Sequence, residues 1–126
     1  MSFDLQPFVT LLKADLNILG ALEATLDAER KALEKRDIVA LRELTGTKNH
    51  YLDQTRDNAR HRVAWLSATG LATPRFLDLL RSRAAPVFAL HAEAERKVES
   101  VRRKNAVNGR LILRARQVNE RLMDIL

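Results

Sequence analysis

The chain has 126 residues, 22 Lys plus Arg against 16 Asp plus Glu, a formal net charge of +6 and no cysteine. That length suits one domain with a core of its own, and the lack of cysteine excludes a disulfide framework, a thiolate nucleophile and Cys-rich zinc sites. No apolar run reaches the roughly 18 residues of a membrane span, and Met1-Ser-Phe-Asp-Leu-Gln-Pro lacks the basic-then-apolar order of a signal peptide. The expectation is a soluble cytoplasmic protein with no membrane insertion.

Only 4 Gly and 3 Pro punctuate the chain, aromatics are 5%, and Leu, Ala, Arg and Glu dominate. Strong helix formers with few breakers predict an all-α fold. A first helix is predicted over about 5–36, where Leu12, Leu16, Leu19, Leu26 and Leu33 recur at helical spacing and Phe8, Leu11, Ile18 and Leu22 widen the stripe. Asp37 can cap a second helix over 38–68, carried by Ile38, Leu41, Leu44, Leu52, Ala59, Val63 and Leu66 and stopped near Gly70. Thr73-Pro74 reads as a cap and a first-turn proline opening a short helix over 73–82, with Phe76, Leu77, Leu79 and Leu80. Pro86 opens the last helix, 86–126.

At about 1.5 Å per residue the first two helices span roughly 46 to 48 Å and the last roughly 61 Å. The arrangement expected is an elongated antiparallel bundle of three long helices with one short connecting helix, a single domain over 1–126. If the chain runs up, down and up again, an excess of about ten residues falls at its C-terminal end. The last helix carries a seam of Val87, Leu90, Ala94, Val101, Asn108, Leu111, Ala115, Val118, Leu122 and Ile125. Lys97 or Val98, and Lys104 or Asn105, fill its two gaps, so the seam is polar in the middle and apolar again toward its end. An apolar stripe on an overhanging end is an aggregation liability unless something covers it.

Charge concentrates on the same helix. Between Arg96 and Arg121 there are nine basic residues against Glu99 and Glu120, while the remainder is close to neutral. Clustered arginine can bind phosphates, or it can be a solvated face whose stems cover apolar surface. The long seam, and the absence of any aromatic residue over 96–126 on which bases could stack, favour a protein partner with an acidic or amphipathic element over nucleic acid.

Catalytic and metal-binding signatures are missing: there is no phosphate-cradling Gly-rich loop and no His-Glu-x-x-His. His50 and His61 are roughly 16 Å apart along a helix, too far to ligate one metal, and Glu93/Glu95 and Glu29/Glu34 point to different faces. No enzyme activity, cofactor or metal is expected. Asn108-Gly109 is locally a hairpin turn, yet the three-and-four spacing continues in phase from Val101 to Leu122, so the pair is read as helical. A mid-helix Gly costs about 1 kcal/mol against Ala, which asks for a reason such as close approach of another helix; a kink or a locally weakened helix is the alternative. Asn105, one turn from Asn108, would add hydrogen-bonding groups to that face.

The stretch Leu26-x-x-Glu29-x-x-Ala32-Leu33-x-x-Arg36-Asp37-x-x-x-Leu41-x-x-Leu44-x-x-x-Lys48-x-x-x-Leu52 resembles the N-terminal pattern of the FlgN family of flagellar export chaperones. Asn105-x-x-Asn108-Gly109-x-Leu111-Ile112 is similar to that family's C-terminal signature, and Arg62, Leu66 and Gly70 fall between them in the expected order. Tyr51-Leu52 stands where the family often has paired leucines, and members usually carry a further flexible tail.

The resemblance implies a cytosolic chaperone that binds the C-terminal amphipathic helices of the hook–filament junction proteins FlgK and FlgL, prevents their premature self-association and delivers them to the type III export gate. The candidate contacts are Val101, Leu111, Ile112, Val118, Leu122 and Ile125 for apolar burial. Asn105, Asn108 and Gly109 would set approach and register, and Arg102, Arg110 and Arg114 would steer an acidic client helix. The rival readings are a nucleic-acid-binding basic helix and a structural coiled coil, with weak self-association through the last helix.

Overall fold

The computed structural model describes residues 4–125. Four helices follow one another: α1 (Gln6–Lys35), α2 (Ile38–Thr69), α3 (Thr73–Arg83) and α4 (Ala85–Ile125). The last position of the expected final helix, Leu126, lies outside the described residues. α1 ends at Arg36, a non-glycine residue in the left-handed region (φ 55°), whose N–H bonds back to Leu33. Asp37 then caps α2 by accepting from the Ala40 N–H at 3.1 Å, and Gly70 (φ 74°) closes it. At α3 the sequence reading is corrected by one residue: Ala72 occupies the cap position without a side-chain bond, and Thr73 and Pro74 are already helical. A proline in the first turn has no N–H to leave unpaired, so the helix opens without a hydroxyl cap.

α1 is the central element. α2 packs antiparallel on one side of it and α4 parallel on another, while α2 and α4 barely meet. The register is set by pairs: Asp15 with Arg62 and Glu29 with Lys48 across α1 and α2, Glu23 with Lys97 and Asp27 with Lys104 across α1 and α4. Two apolar clusters fill the rod. At one end Phe8, Leu12, Phe76, Leu80 and Ala94 are buried, and Phe8 stacks on Trp65 at 5.2 Å with the edge of Phe76 at 5.1 Å. α3 closes that end by returning the chain over it. Further along, Leu19, Leu22, Leu26 and Val101 form the second cluster. Full burial of each such leucine contributes about 1.5–3 kcal/mol, which makes the α1 stripe the main source of cohesion.

Because Asn108 is level with Glu29, the last residue of α1, Lys35, is level with about position 114 of α4. α4 runs on to Ile125, about ten residues or 15 Å past its neighbours. Every residue from Leu113 to Ile125 is exposed.

Candidate partner-binding site

α1 places two carboxylates in its apolar stripe, Asp15 and Glu29, at 0% and 1% exposure. A buried carboxylate without partners costs several kcal/mol, so each has to be met by a cation and hydrogen bonds. Around Asp15, the Asn58 amide donates to the Leu11 carbonyl and to Asp15 Oδ1, both at 2.9 Å, and Arg62 Nη1 lies 2.6 Å from Oδ2. Around Glu29, the Asn108 amide donates to the Leu26 carbonyl and to Glu29 Oε1, both at 2.9 Å, and Lys48 Nζ lies 2.9 Å from Oε2. The two sets are built alike, from one α1 carboxylate, one amide bridging it to an α1 carbonyl, and one α2 cation. They pin all three long helices, and Asn108 is where α4 is last held.

Between them, Glu23 accepts from the Ser100 hydroxyl at 2.8 Å and from Lys97 Nζ at 3.2 Å. The Ser100 bond, with the charges of Lys97 and Lys104 added and burial opposing, holds the Glu23 carboxyl below its usual range. This is the polar middle of the seam: its lysines reach α1 acids instead of solvent.

Past Asn108 a cleft of about 470 Å³ lies between the helix ends. Leu33, at the end of α1, and Ile38 and Leu41, at the start of α2, face Leu111, Arg114, Ala115 and Val118 of α4 across it. Ile38 and Val39 are 64% and 71% exposed, and on α4 the exposure rises from 38% at Val118 through 53% at Leu122 to 80% at Ile125. The cleft and the free end form one continuous apolar strip bordered by Arg114 and Arg121.

The sequence-predicted residues divide accordingly. Leu111, Arg114 and Val118 line the cleft, Leu122 and Ile125 extend it, and Ile112 is half-buried beside it. Val101 and Asn108 are buried against α1, where the chain's own core meets their side chains. Asn105, one turn before Asn108, is exposed. Gly109 is exposed. The helix passes through it unbroken, and a Cβ there would meet nothing within 4 Å, so the chain itself makes no close approach. Arg102 lies 4.0 Å from Glu99 and borders a different groove, between α2 and α4, while Arg110 is exposed on the outer face.

Sequence reasoning missed Leu33, Ile38 and Leu41 as the facing wall. The available signal was Ile38-Val39 directly after a cap, more apolar surface than the first turn of a solvated helix requires. It also missed that Glu29 and Lys48 from the first quoted block meet Asn108 from the second around one carboxylate.

Fold and site together define an all-helical protein with an exposed apolar seam at one end of the rod. Among the described residues, no cluster of side chains could hold a metal ion and no helix is long and apolar enough to cross a membrane. The family described as FlgN protein matches residues 1–126, and the chain belongs to that family of flagellar export chaperones. No curated protein and no solved structure matches it.

Proposed function

We propose that the free end of α4, with the cleft at its base, captures the C-terminal amphipathic helices of the hook–filament junction proteins FlgK and FlgL in the bacterial cytosol. Capture keeps these helices from associating prematurely and holds them until delivery to components of the type III export gate. The observation that carries this reading is the uncovered strip running from Leu111 and Val118 to Leu122 and Ile125, facing Leu33, Ile38 and Leu41. A guest helix with its own apolar stripe would complete the packing that α1 and α2 supply elsewhere in the rod.

Charge supports a foreign guest over a second copy. Arg114 and Arg121 occupy equivalent positions beside the seam, seven residues apart. An antiparallel pair of these ends would set arginine against arginine, leaving self-association weak, whereas acidic residues flanking a client's stripe would be attracted and steered. Ordering a client segment that is disordered when free consumes about 2–5 kcal/mol of the interaction, which allows specific binding with release. The role is one of binding, without catalysis, cofactor, metal or nucleic acid.

Co-purification tests it. Leu122→Asp with Ile125→Asp should abolish capture of FlgK and FlgL and leave the melting temperature unchanged, because both side chains are more than half exposed. Retained capture by that variant would remove the free end of α4 from the binding surface.

A further inference from the structure

α4 carries a second, charged surface, which meets the border of the seam at Arg114 and Arg121. Arg96, Arg103, Arg110, Arg114 and Arg121 follow one another at intervals of seven, seven, four and seven residues. At about 100° per residue all five fall within a sector of about 40°, along about 38 Å of helix. Each is exposed, and none takes part in an ion pair among the described residues; Arg102, which pairs with Glu99, lies outside the sector. No Asp or Glu of α4 shares the sector from Ala85 to Ile125. It points away from α1, since Ala94, Val101 and Asn108, buried against α1, lie on the opposite side of the helix.

We propose that this arginine face is a peripheral docking surface for the anionic headgroups of a phospholipid bilayer. A straight row of this length meets a plane along its whole extent. The groove of duplex DNA curves away from a straight rod within a shorter distance, and a single-stranded nucleic acid would find no aromatic side chain between Arg96 and Ile125. Anionic headgroups also move laterally, so they match an uneven spacing of charges without a fixed complementary lattice. The apolar strip of Leu111, Val118, Leu122 and Ile125 lies about 40–100° round the helix from the centre of the arginine face. The surface site does not depend on the chaperone reading.

The test is co-sedimentation of the full chain at low ionic strength with phosphatidylglycerol-rich vesicles and with vesicles of phosphatidylcholine alone. Binding should be confined to the former and should fall steeply with added salt. Each arginine near an anionic surface contributes roughly fivefold, so Arg96→Gln, Arg103→Gln and Arg110→Gln together should weaken binding on the order of 100-fold. Arg42→Gln, Arg56→Gln and Arg60→Gln, which remove the same charge from exposed positions on α2, should weaken it only severalfold. Circular dichroism melts of both variants monitor the fold, and the salt titration of the unmodified chain gives a readout free of mutation. Equal binding to both vesicle types, salt-insensitive binding, equal loss in the two triple variants, or tighter binding to a duplex oligonucleotide at the same salt would each overturn the proposal. Capture of FlgK or FlgL is assayed separately, so its failure and that of the lipid surface are distinguishable.

Discussion

Asn108→Ala separates a residue that holds the chain together from one that touches a guest. The side chain is 1% exposed and its amide makes two bonds at 2.9 Å, one to the Leu26 carbonyl and one to Glu29 Oε1. A hydrogen bond to a charged group contributes about 1.5–3 kcal/mol and one to a neutral carbonyl about 0.5–1.5, so the loss should be about 2–4 kcal/mol. For a domain of this size that corresponds to a fall of roughly 10 °C in Tm. A double-mutant cycle with Glu29→Ala should return a coupling of about 1–2 kcal/mol, because each change alone already breaks the shared bond. Urea and thermal unfolding measure both quantities. A loss under about 0.5 kcal/mol, combined with loss of client capture, would refute the reasoning and return Asn108 to the partner surface.

Gly109→Ala should raise the stability of the free chain by about 0.5–1 kcal/mol, since the helix is continuous there and the added methyl meets no neighbour; a destabilised variant in urea melts would show that the helix is not as described. Leu22→Ala, at 0% exposure, should cost about 2–5 kcal/mol, whereas Leu122→Ala, at 53%, should change stability by less than about 0.5 kcal/mol. Comparable losses in thermal melts would mean that the end of α4 is packed. Glu23 should add to acid sensitivity: its carboxyl is held below the unfolded value, so its contribution is present above the ordinary glutamate range and is lost as pH falls through the lowered folded value. Glu23→Gln should flatten that part of the stability–pH profile, and an unchanged slope would count against the Ser100 and Lys97 contacts.

What could be read from the residues followed the range of the interactions involved. Helices and most of their ends are local: Asp37 and Gly70 act on backbone groups within a few positions, and the leucine period of α1 requires no knowledge of its neighbours. The overhang was legible because it follows from helix lengths alone. The carboxylate networks were not, since Asp15 and Glu29 read as breaks in an apolar stripe until their partners are placed, and Asn108 lies 79 residues from Glu29. Periodicity puts Asn108 on the seam but cannot say what faces it, and in the fold its amide meets Leu26 and Glu29 of α1. At Gly109 the cost to the helix is local, and no neighbour within the chain approaches the position. On the candidate surface, the α4 half was visible as an unfinished seam. The half formed by Leu33, Ile38 and Leu41 emerged only when the α1–α2 turn was placed beside it.

The most direct test of the central claim is amide hydrogen exchange over residues 112–125, alone and with the C-terminal helix of FlgK or FlgL bound. The account predicts rapid exchange there in the free chain, slow exchange over residues 19–29 of α1, and strong protection of 112–125 once the guest helix is added. Equal protection of the two segments in the free chain, or no change over 112–125 on binding, would contradict it.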